Sequence, residues 1–410
     1  MKDKERRAGS PRHPTSGVRS QLYSLLSEAC ELEHGLACSY LYSAFTLKKN
    51  VREGGLDAVA LGRNRRWAAQ LYYVAAEEML HLAQAWNLLS ALGGTPYFNR
   101  PNFPQQAKYY ALGVEMALEP FSQRALQRFV CYERPAEMSA DQCPAAGLEA
   151  GAPPRSTVGE LYRRIREIIV EQDDGLFIGL RSGQVDMALV DFPNLIAIRD
   201  RTSALAAIDM ITEQGEGAAA DREDSHYGIF RKTLAEFDAL GAQDQAAAAR
   251  PSIANPRTSF EADYGAPNGA VVTDAATREV VDIFDRFYGA MLTMLAFVFT
   301  NTEADAPIVR AFSRASLDLM TRVLKPMGEA ITQMPAGECH PAGATAGPAF
   351  AIRRVVALPA DARVAAQVLI DRLTGLVERA DAAASGPLRL EELTAAARNA
   401  REIIGERMGP

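Results

Sequence analysis

"AAEEMLHLAQAW", Ala75–Trp86, decides how this chain folds. Its apolar residues recur at helical spacing. Yet it sets Glu77, Glu78 and His81 among residues that belong in a core. A buried carboxylate without a partner is costly, so an ion pair or a metal ion must offset its charge. Glu78 and His81 stand at i and i+3, which turns both onto one helix face. Glu77 is displaced from that face and reads as a supporting residue.

Working outward, residues 64–92 read as one long helix, stopped by Gly93-Gly94 and Pro96. Residues 18–48 form another, with apolar side chains at 22, 25, 26, 29, 32, 36 and 40. The short connection through Gly54-Gly55 predicts an antiparallel hairpin. In that hairpin Glu33, from "ELEH", is as far from the turn as Glu78.

"ITEQGEGAAADREDSHYGIF", Ile211–Phe230, holds a second Glu-x-x-His, Glu223 and His226, after Glu213 and Glu216. Helices are expected at 201–215 and 222–240. If they form a hairpin turning near residues 219–220, Glu216 and Glu223 face each other. A Glu followed by a Glu-x-x-His then occurs twice, which is the donor set of di-metal helical bundles. Carboxylates can bridge two ions, and imidazole adds a terminal nitrogen ligand suited to iron, manganese or zinc. The expected ligands are Glu33, Glu78, His81, Glu216, Glu223 and His226. Glu77 and Glu213 are supporting or alternative ligands. Glu160 competes if its helix, 156–172, completes the bundle instead. Tyr40, Tyr72 and Tyr73 fall within a few turns, as redox relays, hydrogen-bond donors or plain packing aromatics.

Strand signals are few, so the fold class is all-α. Further helices are predicted at 107–118, 120–131, 273–300, 305–333, 360–382 and 388–406. A surface loop is expected at 135–155 and an irregular excursion or hairpin at 175–200. The domain reading is a disordered lead-in at 1–17, a bundle at 18–240, a linker or wrapping loop at 241–270 and a C-terminal helical region at 271–410. Net charge is −7 and the only basic tract is "RNRR" at Arg63–Arg66, which argues against nucleic acid. The apolar stretch Tyr288–Thr300 is too short to span a bilayer. The polar N-terminus lacks the apolar run of a secretory signal. Five scattered cysteines without a CxxC suggest reduced thiols and a cytoplasmic protein.

The stretches "ELEHGLACSYLYSAF", "AAEEMLHLAQAWNLLSALGGTPYF" and "ITEQGEG…SHYGIF" resemble a ferritin-like family. Its best-known members are the iminophenyl-pyruvate dimer synthases of violacein and chromopyrrolic-acid biosynthesis. The likeness covers roughly residues 18–240, and "LKPMGEAITQMPAG" and "AGPAFAI" resemble the segment that follows in those proteins. It implies a ferritin-like four-helix bundle with long loops, an added C-terminal helical region and a role in specialised metabolism. It also implies Glu33, Glu78, His81, Glu216 and His226 as the motif residues. Those synthases couple two imines of oxidised aromatic amino acids and are associated with haem; nothing in this sequence indicates haem.

The function expected is a non-haem di-metal oxidase or oxygenase, with iron ahead of manganese. It would use dioxygen or peroxide on a small amino-acid-derived substrate, with a homodimer as the assembly considered. The alternatives are a ferritin-type iron-handling or peroxide-detoxifying protein, an imine-coupling enzyme, and a non-catalytic helical assembly protein.

Overall fold

The computed structural model describes residues 16–106, 109–110, 114–135, 157–180, 183–215, 222–259, 269–301, 306–354, 356–383 and 390–407. Helices dominate. Helix α1 (Ser16–Thr46) and α2 (Ala58–Ala91) form the long antiparallel hairpin expected from their periodicity. Asn50 caps a short 3-10 turn between them, and the Asp57 carboxylate accepts the Ala60 N–H to start α2.

Four shorter helices lie against this hairpin: α3 (Gln123–Tyr132), α4 (Val158–Val170), α5 (Arg201–Gln214) and α6 (His226–Asp238). Along the chain from α3 to α4, the partners on α1 run steadily backwards. Phe121 N–H meets Thr46, Glu133 meets Tyr40 and Tyr162 meets Glu33. Helices α5 and α6 do the same on α2. Gln214 meets His81, His226 meets Glu77, Thr233 meets Gln70 and Glu236 meets Trp67. Each pair is therefore one bundle rod cut in two. The expected hairpin between 201–215 and 222–240 does not form, because α5 and α6 succeed one another along α2.

Each piece has its own start signal. Ser122, Thr157, Asp200 and Ser225 each accept a backbone N–H in the first turn of α3, α4, α5 and α6. The cap of α4 is Thr157, so the helix expected at 156–172 begins at Val158.

The predicted helix at 107–118 is contradicted where the chain is described. Residues 114–119 are not helical, and Met116 pairs with Gln105 in an antiparallel bridge. Residues 177–180 and 183–200 form turns and irregular backbone rather than a hairpin.

Helix α7 (Ala242–Ala248) and a two-residue parallel pairing, β1 (Pro256–Arg257) with β2 (Ala270–Val271), lead into the C-terminal helices. These are α8 (Ala275–Thr300), α9 (Ala306–Asp318), α10 (Lys325–Ile331), α11 (Ala362–Ala383) and α12 (Leu390–Gly405). A π-helical turn, Leu319–Leu324, joins α9 to α10. Among the described residues α8 alone is long and apolar enough to cross a membrane, and 78% of its most apolar window is buried inside the protein. One apolar core runs without a break from α1 to α12. Cys131 is disulfide-bonded, contrary to the expectation of reduced thiols throughout, whereas Cys30, Cys38 and Cys339 are free.

Candidate metal centre

The two cut rods are interrupted at one level of the bundle, and the buried acids and imidazoles gather there. Glu33 comes from the middle of α1, and Glu78 and His81 from the middle of α2. Glu133 closes α3 as its C-cap residue, and His226 opens α6 directly after its Ser225 cap. All five are fully buried.

They form two groups that share one carboxylate: Glu33, Glu78 and His81, and Glu78, Glu133 and His226. His81 Nδ1 lies 3.6 Å from Glu33 Oε2 and 3.5 Å from Glu78 Oε2. His226 Nδ1 lies 2.9 Å from Glu78 Oε1 and 3.5 Å from Glu133 Oε2. Glu78 thus turns one oxygen to each group. The two imidazole rings are near parallel, with centroids 5.5 Å apart.

The groups around this cluster fix how it presents its donor atoms. Tyr162 donates to Glu33 Oε1 at 2.6 Å, and Tyr40 donates to Glu133 Oε1. Each outer glutamate keeps its other oxygen for the centre. His226 Nε2 lies 2.9 Å from Glu77 Oε2, and His81 Nε2 lies 3.2 Å from Gln214 Oε1. Both acceptors place the ring proton on Nε2, leaving each Nδ1 lone pair facing the cluster. Gly215 leaves room for both rings. A Cβ there would come within 3.3 Å of His81 Cε1 and 3.4 Å of His226 Nδ1.

The fit to metal can be judged from what lacks a partner. Among the described residues, Glu33 Oε2, both oxygens of Glu78, Glu133 Oε2, His81 Nδ1 and His226 Nδ1 are buried with no hydrogen-bond partner outside the cluster. All six face the shared cluster. Among the described residues no lysine or arginine forms an ion pair with Glu33, Glu78 or Glu133. Taking a carboxylate out of water costs several kcal/mol per ion, and orphaned acceptors add to that cost. Two divalent cations would neutralise the charge and accept all six lone pairs.

The same crowding shows in proton affinities. Burial, then the Glu78 charge, pushes Glu33 up to about 8. Burial opposes charging His81, but Glu33 and Glu78 override it and hold its pKa well above the ordinary range. Burial likewise opposes charging His226, and Glu78, Glu133 and Glu77 raise it well above normal. Without metal, protons take the place of cations.

Of the expected ligands, Glu33, Glu78, His81 and His226 come together. Glu223 does not: it is exposed, in the turn before α6. That turn is not helical, so the i,i+3 relation to His226 no longer aligns the two side chains. Glu216 lies outside the described residues. Glu213 is exposed near the end of α5, where only its carbonyl is used, by Arg222. Glu160 pairs with Arg163 on the outside of α4. Glu77 supports His226, as its neighbouring position suggests. Tyr40 reaches a cluster carboxylate, Tyr73 donates to Glu77 at 2.7 Å, and Tyr72 donates instead to Glu329 at 2.6 Å. Sequence reasoning missed Glu133. It falls between the predicted end of its helix at 131 and the loop beginning at 135. The signal was an acid directly following the apolar run "FVCY".

Residues 26–235 match the family described as ferritin-like. The chain belongs to the ferritin-like family. It is 30% identical over 357 residues to the 2-imino-3-(indol-3-yl)propanoate dimerase of Chromobacterium violaceum, covering 80% of this chain and 34% of that protein. It is 28% identical over 425 aligned positions to the dichlorochromopyrrolate synthase of Lentzea aerocolonigenes, covering 92% of this chain and 41% of that one. The chain therefore spans only about a third to two-fifths of these relatives' length. A ferritin-like protein from Caulobacter vibrioides aligns over 71% of this chain and 89% of its own, with a TM-score of 0.44 and 15% identity. The first two of these proteins are, by name, biosynthetic enzymes, a dimerase and a synthase.

Proposed function

We propose that this chain is a ferritin-like di-metal oxidase or oxygenase of specialised metabolism, acting on a small amino-acid-derived substrate. The observation that carries this reading is the set of six buried donor atoms on Glu33, Glu78, His81, Glu133 and His226 that face one another and, among the described residues, have no hydrogen-bond partner outside the cluster. Those five residues would hold two ions, with Glu78 turning one oxygen to each donor group. Iron is the first choice and manganese the second, given the mixed carboxylate and imidazole donors. When bound, such a pair supplies redox chemistry toward dioxygen or peroxide.

The protein's own part is placement. Tyr162 and Tyr40 hold the outer carboxylates, while Glu77 and Gln214 hold the two imidazoles in one tautomer. The apolar bundle keeps bulk water from the centre, which strengthens every charge interaction there. The names of the two curated relatives favour a second reading of the same centre, the coupling of two amino-acid-derived imines.

The test is metal analysis of protein grown with added iron, followed by single-turnover reaction with dioxygen. About two ions per chain are expected, with dioxygen consumed by the reduced protein. Less than half an ion per chain, with stability indifferent to chelator, would overturn the proposal. Mass spectrometry of products from an aromatic 2-imino acid then separates oxidation of one molecule from coupling of two. In the cell we place the protein in the cytoplasm, a reading that fractionation tests.

A further inference from the structure

Helices α1 and α2 turn a second face away from the metal centre. Its residues follow the ligands by one position: His34 after Glu33, Met79 after Glu78 and Leu82 after His81. One residue is a rotation of about 100° around a helix axis. Between this face, α8 and the π-helical turn lies a cavity of about 230 Å³. None of the five metal-centre residues lines it.

The wall is almost entirely carbon and thioether. Phe45, Trp86 and Phe350 supply rings, and Met79, Met291 and Met320 supply adaptable side chains. An apolar cavity of about 150 Å³ stays dry and admits a benzene ring. This one has space for two fused rings. Part of its rim is the π-helical turn, a distortion that concentrates at functional sites.

At the buried end His34, Cys38 and Tyr288, which line the cavity, hydrogen-bond one another. His34 Nε2 hydrogen-bonds the Tyr288 hydroxyl, with Cys38 Sγ 3.3 Å and Arg100 Nη2 3.4 Å from the same oxygen. The Arg100 guanidinium is turned to the Phe350 carbonyl, 2.6 Å away, and does not line the cavity. The exposed end differs. Lys325 Nζ sits 4.3 Å from the centre of the Tyr72 ring, and it has no ion-pair partner among the described residues. The neighbouring Lys49 is already paired with Glu329.

We propose that this cavity is a second small-molecule site, taking an aromatic ligand of one or two rings with a single anionic group. The rings lie among the methionines and aromatics, and the anion meets Lys325 at the rim. The site is independent of the metal reading.

The experiment is calorimetric titration of the full chain with 2-naphthoate and with the neutral naphthalene-2-methanol. Saturable binding of one 2-naphthoate per chain is expected, unchanged after chelator treatment. Lys325→Gln weakens 2-naphthoate about two- to fivefold, the range of an exposed ion pair, and leaves the neutral probe unaffected. Thr321→Trp at the rim, or Leu41→Trp on the facing helix, abolishes both while circular dichroism and metal content persist. Three results overturn the proposal: no saturable binding of either probe, loss of binding on chelation, or full binding in a folded tryptophan variant. Equal weakening of both probes by Lys325→Gln overturns the anionic assignment.

Discussion

The hairpin α1–α2 and the two cut rods opposite it build the same candidate metal centre in different ways. Glu33, Glu78 and His81 stand in the middle of helices of 31 and 34 residues. Their directions are set by an unbroken backbone ladder. Glu133 and His226 stand at the ends of helices of 10 and 13 residues. Their directions depend on caps and on tertiary neighbours: Tyr40 for Glu133, and the Ser225 cap and Glu77 for His226. The hairpin supplies donors by periodicity, while the cut rods supply them by termination. Gly215, at the end of α5, marks the close approach of one cut rod to both imidazoles.

The largest expected effect tests whether the two halves are one site. Glu78 turns an oxygen to each. Glu78→Ala should lower metal content from about two ions per chain to nearly none. Glu33→Ala and His81→Ala should spare the ion held by Glu133 and His226. Elemental analysis with circular dichroism checks this. Full retention of one ion in Glu78→Ala would separate the halves.

This comparison also explains what could be read in the sequence. The long helices, the all-α class and the candidate ligands of α1 and α2 follow from spacing, because in a continuous helix spacing dictates direction. His226 was legible from its motif, but its glutamate was not. The Glu-x-x-His argument assumes helix through all four residues, and the chain from 222 to 225 is a turn. Glu133 had no motif, since its place comes from where α3 stops and from Tyr40, 93 residues away. The equal distances of Glu216 and Glu223 from a turn held no information once α5 and α6 proved to be consecutive pieces of one rod.

The next effect sets the structural assignment against the motif. Glu133→Ala should lose the ion of the second half, whereas Glu223→Ala, on an exposed turn, should keep both. If Glu223→Ala loses metal and Glu133→Ala does not, the cut-rod geometry is wrong at this point. Gly228→Ala probes the same rod through packing. A Cβ there would lie 2.3 Å from the Arg222 carbonyl and 2.8 Å from Glu223 Cα. The turn must move, and overpacking of this kind costs about 1–3 kcal/mol. A matching drop in thermal or urea stability should accompany weaker metal binding in the second half only.

Acidity separates the loaded and empty forms. Glu33 is raised from 4.5 to about 8, so the folded empty protein holds this proton more tightly than the unfolded chain. That contribution to stability is present at low pH and is lost as pH rises toward about 8. Metal must displace the same proton, so its affinity should rise over the same interval, by about tenfold per pH unit for each proton released. Urea melts of the chelated and loaded protein at several pH values should diverge as pH rises. Parallel curves would mean that Glu33 is not a ligand.

The smallest effect compares the two tyrosines. Tyr162 on α4 and Tyr40 on α1 each donate to the outer oxygen of a terminal glutamate. Removing either hydroxyl leaves a buried oxygen unpaired, which costs about 1–3 kcal/mol, and frees the carboxylate to rotate. Glu33 is anchored mid-helix, so Tyr162→Phe should weaken its ion only about tenfold, the lower end for groups that orient ligands. Glu133 sits where α3 ends, with no following helical turn to hold it. Tyr40→Phe should therefore weaken its ion more, toward the hundredfold end of that range. Metal titration of both variants reads this directly. Equal losses would show that the helix end is as rigid as the helix middle, and would remove the distinction between the continuous hairpin and the cut rods.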